Sequence, residues 1–167
     1  MSRILLIAIF LSGCASQAPV VTPGGKLIFA AGTVTAQRGN LVSLQPDDLV
    51  YEQNLVVTDK RSRAQFLMND GTMLALRPQT RLYVEAYANT TQQGYVLDLL
   101  QGGMRSISRG MSYNRIKTPA GTIGISNAHY NLVWCNDSCS MDNDNTVMNG
   151  LYLGISEGAA RITNNSG

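Results

Sequence analysis

The chain has little charge, a single histidine and a single tryptophan, and each scarcity closes off a class of function. Charged residues make up 14% of its 167 residues, well below the roughly one-quarter usual for soluble domains. The formal net charge is +2, so bulk charge gives no reason to expect nucleic acid as a partner. His129 is the only side chain with an ordinary titration range near neutrality. Ser126, His129 and Asp137 can be drawn as a triad, but nothing around them resembles a nucleophile elbow or an oxyanion loop. The residue reads instead as a strand histidine on a half-exposed face. No phosphate-cradling glycine loop is present, and Gly102-Gly103 reads as a turn between strands. Asp47, Asp48, Glu52 and Glu85 show no pairing suited to acid–base work. The expectation is a non-enzyme with no cofactor and no metal site.

A membrane-length apolar run is also missing from the start of the chain. Ile4 to Leu11 is an apolar run of eight residues behind Arg3, and as a helix it would rise only about 12 Å. It therefore reads as the core of a signal peptide. The run ends in Leu11-Ser12-Gly13-Cys14, which looks like the lipobox of a bacterial lipoprotein. The small residues Ser12 and Gly13 suit an extended chain in a peptidase cleft, and the Cys14 thiol would receive the lipid. The alternative is an ordinary secretory signal with a chance cysteine. The expected organisation is a signal peptide at 1–13, a lipidated Cys14 with a tether to residue 25, and a domain at 26–167. Two or more acyl chains hold a protein stably at a bilayer, where one does so only marginally. Ala15 follows the cysteine in place of an inner-membrane-retaining Asp, which favours the outer membrane, facing the periplasm or the surface.

Past the leader, Cys135 and Cys139 are the remaining cysteines. In an oxidising compartment a disulfide is the default for them, closing a short loop with a small entropic gain. Metal ligation with His129, or two free thiols, stays open, although zinc sites normally want a fourth ligand and a two-residue gap. Asp142-Asn143-Asp144-Asn145 is oxygen-rich but lacks the glycine and terminal glutamate of a calcium loop, and reads as a solvated turn.

Helical periodicity is absent over any useful length, and strand-like alternation takes its place. Leu55 to Thr58 is a short β-branched run. Ala64 to Met68 and Thr72 to Leu76 flank Asn69-Asp70-Gly71, which predicts a hairpin with a type I′ turn. Pro78 ends the second of these runs. Arg81 to Tyr87 alternates cleanly. Further strands are expected at Tyr95 to Leu100, Met104 to Ile107, Tyr113 to Thr118, Ala128 to Trp134, Gly150 to Ser156 and Ala159 to Thr163. Gly102-Gly103, Pro119-Ala120-Gly121, Asn149-Gly150 and Glu157-Gly158 read as turns between them. Short strands at this spacing predict an all-β fold, a sandwich or a solenoid-like stack.

The order of the pieces resembles the FecR family. The resemblance rests on Gly32-x-Val34, Asp47-Asp48-Leu49-Val50 and Val57-Thr58 followed by Ala64-Gln65-Phe66. It continues through Asn69-Asp70-Gly71-Thr72, Leu74-x-Leu76-x-Pro78, Leu99-Leu100-Gln101-Gly102-Gly103-Met104-Arg105 and Thr118-Pro119-Ala120-Gly121-Thr122-Ile123-Gly124-Ile125. It closes with Gly150-Leu151-Tyr152-Leu153-Gly154-Ile155-Ser156-Glu157-Gly158. Where the family usually carries Arg-Gly-Thr, this chain has Ser126-Asn127-Ala128. The cytoplasmic anti-sigma helix bundle of the ferric-citrate type regulators is replaced by the lipobox. The resemblance therefore implies an envelope interaction or sensing module and not the transmembrane regulator itself.

From Leu99 to Asn136 the chain has no acidic residue, and Arg105, Arg109, Tyr113, Arg115 and Lys117 fall within that stretch. On a strand, Arg115 and Lys117 point to one face. These residues form the candidate contact surface, together with the strand from Ser126 to Leu132. The expected partners are an envelope protein or an anionic glycan or lipid. The leading expectation is a non-catalytic binding or scaffold module. The alternatives are a signalling component that senses an envelope transporter, and a hydrolase of envelope glycans.

Overall fold

The computed structural model describes residues 21–90, 93–108, 113–136, 139–141 and 145–164. Every regular element among them is a strand. The first eight are β1 (Pro23–Ala31), β2 (Val34–Arg38), β3 (Asn40–Ser43), β4 (Leu49–Tyr51), β5 (Leu55–Thr58), β6 (Arg63–Met68), β7 (Met73–Leu76) and β8 (Arg81–Thr90). The remainder are β9 (Gln93–Ile107), β10 (Tyr113–Thr118), β11 (Gly121–Cys135), β12 (Cys139–Met141), β13 (Asn145–Val147) and β14 (Gly150–Asn164). The all-β expectation holds. Burial alternates with a period of two along β6, β7 and β10, as expected for strands with one face on a core.

Twelve strands belong to one sheet, and β12 and β13 form a separate hairpin. The large sheet is folded over on itself by three strands of 15 residues each, β9, β11 and β14. The first half of β9 lies between β8 and a parallel β10, while its second half lies between β7 and β11. β11 leaves β10 after Ser126 and joins β9 at His129. β14 follows β11 along both halves. The result is two limbs. One runs β3-β2-β5-β8-β9-β10-β11-β14, and the other runs β4-β1-β6-β7-β9-β11-β14. Inward residues of both limbs share one apolar cluster, with Val56, Leu82, Leu97, Ile116 and Ile123 from the first and Leu27, Phe66, Leu74, Met104 and Leu132 from the second. Fully burying one such side chain contributes about 1.5–3 kcal/mol, so this shared core is what holds the limbs face to face.

The long strands correct the sequence reading in an instructive way. Gly102-Gly103 and Glu157-Gly158 are corners inside continuous strands and not turns between short ones, and β11 bends within its length near Asn127. Gly102, Asn127 and Gly158 carry the left-handed backbone that each corner needs, with φ of 85°, 50° and 84°. A Cβ on Gly102 would lie 2.6 Å from the Gln79 carbonyl oxygen. Thr80 Oγ1 locks that corner, donating to the Gly103 carbonyl and accepting from the Gly103 amide, both at 3.0 Å.

Two smaller corrections follow. At Asn69-Asp70-Gly71 only Gly71 has positive φ, so the hairpin is not type I′, which needs two such residues. The Gly71 amide bonds back to the Met68 carbonyl and the Thr72 amide to Asp70 Oδ1. β1 starts at Pro23, before Lys26, because Gly25 is tucked against β6, where a Cβ would meet the Leu67 carbonyl oxygen at 2.9 Å.

Candidate functional site

The outward face of the first limb gathers part of the basic segment. Asn114, Ile116 and Thr118 point into the core, so Tyr113, Arg115 and Lys117 all point out. Asn114 is buried and its Oδ1 accepts the Tyr95 amide at 3.1 Å. That bond fills the ladder where the β9–β10 register slips between Tyr113 and Arg115, and it fixes the lateral position of the outward row.

Cross-strand neighbours give this row its chemistry. Lys117 stands beside Asp98 of β9 and Thr122 of β11, and its Nζ forms an ion pair with Glu85. Desolvation raises the pKa of Asp98 above its ordinary value; Lys117 opposes the shift and Glu85 adds to it. Lys117 is therefore largely neutralised by its neighbours. Arg115 is not: it lies opposite Gly124, makes no ion pair among the described residues, and is exposed. Arg161 of β14 lies opposite Gly124 on the other side. Tyr113 reclines over Gly124, its hydroxyl standing where a Cβ would be. Two arginines thus flank one side-chain-free position under a phenol ring. Such a cluster presents planar donors and a hydroxyl to an anionic group.

The remaining sequence candidates disperse. Arg105 is exposed on the second limb, opposite Ala75 and Asn131, and so does not share a surface with Arg115. Arg109, Asp137 and Cys14 lie outside the described residues. Ser126 pairs with Tyr113 at the edge of the outward row, and His129 sits past the corner on the second limb. The His129 Nδ1 approaches Glu157 Oε2 at 3.1 Å and its Nε2 approaches the Ser108 carbonyl at 3.1 Å. The pair that sequence reasoning missed is therefore His129–Glu157, which the β11–β14 register brings together. Asp47 is taken by Lys26 at 2.8 Å, and Glu85 pairs with Lys117 near Asp98, whose pKa it helps to raise. Cys135 is fully buried at the end of β11, and Cys139 opens the β12–β13 hairpin. Among the described residues no cluster of three or more His, Cys, Asp or Glu could hold a metal ion, and no helix is long and apolar enough to cross a membrane.

Three core hydroxyls form a structural group. Tyr95 Oη and Ser106 Oγ lie 3.2 Å apart beside Tyr130. Burial pushes the Tyr130 phenol up to about 12 and that of Tyr95 well above its ordinary value, which keeps both protonated; Tyr95 hydrogen-bonds to Ser106, while Tyr130 Oη has no hydrogen-bond partner among the described residues.

The family model described as FecR protein matches residues 54–150, more than half of the chain. That span runs from the start of β5 to the start of β14 and includes the whole of β9, β10 and β11. No curated protein and no solved structure matches the chain.

Proposed function

The chain belongs to the FecR family, and from that premise we propose that it is a lipid-anchored binding module of the bacterial envelope, without catalytic activity of its own. Residues 1–13 are the export signal, Cys14 carries the lipid, and the following residues tether the β body at the outer membrane. The contact surface is the outward row of β10, with Arg115 as its free cation and Tyr113 as its flat apolar platform. The observation that carries this reading is the arrangement at Gly124: Arg115 and Arg161 on either side, Tyr113 above. The matching partner chemistry is an anionic group on an envelope protein, glycan or lipid. Arg105 belongs to a different part of the surface, on the second limb.

Cys135 and Cys139 form a disulfide in this reading. Its support is the burial and engagement of Cys135, together with the short connection to the β12–β13 hairpin. The bridge pins that hairpin to the end of β11.

Two measurements test the proposal together. On fractionation the native protein sediments with membranes and Cys14→Ala moves to the soluble fraction; membrane retention of Cys14→Ala refutes the anchor. In cells, cross-linking to the neighbouring envelope component falls severalfold for Arg115→Glu while Arg105→Glu cross-links normally; equal yields refute the contact surface. Family membership favours a second reading, in which the same surface serves signalling from an envelope transporter. A sigma factor and a TonB-dependent receptor encoded beside this chain distinguish it from a plain scaffold.

A further inference from the structure

The large sheet has three outer strands, and they are built very differently. β3 has four residues and β4 has three. Residues 44–48 join them across the rim, with the Leu44 amide bonded to the Val34 carbonyl and the Asp47 amide to the Leu27 carbonyl. Short strands closed by a tied loop are a standard protection for a sheet edge. β14 is different. It has 15 residues, no lysine and no proline, and it pairs only with β11 among the described residues.

The core is open along that rim. Ile155 and Ile162 stand opposite Tyr130 and Ile123 on the inward side. Tyr130 and Ile123 are 1% and 0% exposed, yet Ile155 and Ile162 remain 42% and 54% exposed. These side chains face the layer between the limbs and, among the described residues, have no further strand to cover them.

The corner at Gly158 restricts what can cover them. A straight strand could follow β14 along one limb only, because β14 turns from the second limb to the first. A second β14 carries the same corner. Under a twofold axis through the corner and perpendicular to the sheet, two antiparallel β14 strands bend toward the core in the same sense. Centring the pair on Ala159 sets Glu157 of each copy opposite Arg161 of the other. Both residues are exposed and both lie on the outward side, opposite His129 and Gly124. Two copies of one outward charge pair then form, with the exposed isoleucines of each copy brought against the rim of the other.

We propose that β14 is a homodimerisation edge, pairing antiparallel with β14 of a second copy about a twofold axis at Ala159. Being isologous, this contact closes at two copies, and the bulge beside His129 with the bend at Gly158 disfavours a straight strand in its place. The shared edge has Arg161 in common with the anion-binding surface, whereas Arg115 lies on β10, off that edge, so a substitution at Arg115 separates the two readings.

The test uses the full chain with Cys14→Ser, kept off the membrane, by sedimentation equilibrium. The parent chain should sediment as a reversible dimer. Glu157→Arg alone and Arg161→Glu alone should each weaken the dimer on the order of tenfold, since each sets like charges opposite one another twice. The double exchange Glu157→Arg with Arg161→Glu should restore it. Under mild oxidation Ala159→Cys should give a covalent dimer, and Thr163→Cys, displaced from the axis, should not. Arg115→Glu should leave association unchanged, and circular dichroism checks that each variant keeps its strands. A parent chain that is monomeric at every concentration overturns the proposal. So does a double exchange that fails to restore the dimer, or equal cross-linking through Ala159→Cys and Thr163→Cys.

Discussion

β9 and β14 each bend at a glycine in the left-handed region, and the consequences differ because of what flanks them. Gly102 in β9 and Gly158 in β14 both sit in the left-handed region, and both lack room for a side chain. β9 has strands on both sides over most of its length, and its corner is fixed by Gln79, by Thr80 and by the β11 ladder, with β7 joining just past it. β14 has β11 on one side only. One local device therefore serves as an internal hinge of the fold in one place and as the shape of an open edge in the other. A corner flanked on both sides is a stability element, and a corner flanked on one side can be a recognition element.

Replacing the two glycines is the most direct way to break that comparison. Gly102→Val forces a β-branched residue into positive φ against the Gln79 carbonyl and Thr80. The expected loss is about 3 kcal/mol or more, read as a lower denaturant midpoint of a single cooperative transition. Gly158→Ala meets the Asn127 carbonyl, but the strain falls on a strand that can peel from β11 without opening the rest of the sheet. The expected result is a loss of about 1–2 kcal/mol confined to β14. Hydrogen exchange should quicken along 150–164 while amides of β8 and the first half of β9 keep their protection. Global unfolding of Gly158→Ala at a cost equal to that of Gly102→Val would erase the distinction between the corners.

The sequence carried the strand content and most strand positions, because period-two alternation depends on local chemistry alone. Leu55 to Thr58, Ala64 to Met68 and Tyr113 to Thr118 lie where alternation and β-branching place them. It misread the long strands because a glycine pair looks the same whether the chain reverses or merely bends. What decides is whether the flanking segments find partners in different limbs, and that is a property of pairing across the whole chain. The same limit applies to the site. Tyr113, Arg115 and Lys117 were legible as one face of a strand, but Arg161 comes from some 45 residues further on and joins them only through the β11–β14 register. Lys117 read as part of the basic row, and its pairing with Glu85 could not be read because that contact crosses β9. Arg105 looked adjacent in sequence and was carried to the other limb by the corner at Gly102.

Charge sharpens the contrast between interior and edge strands with a smaller effect. Asp98 on β9 stands between β8 and β10, where desolvation raises its pKa above the ordinary 3.8 and Lys117 only partly offsets this. A carboxyl whose pKa is raised in the folded state contributes most when protonated. Its contribution is complete below the unfolded-state value and is lost as pH rises through the folded-state value. At neutral pH the raised pKa of Asp98 therefore counts against folding, and Asp98→Asn should raise the thermal midpoint slightly. The difference between variant and native protein should shrink as pH falls and vanish below about 3.9, the ordinary value for the unfolded chain. Glu157 on β14 is mostly exposed even though it meets His129, and exposed pairs of this kind contribute roughly 0–1 kcal/mol. Glu157→Gln, measured at concentrations too low for association, should move the midpoint little at any pH. An Asp98→Asn chain less stable than the native one at neutral pH would show that Lys117 outweighs desolvation there, and that the interior strand treats its carboxylate no differently from the edge.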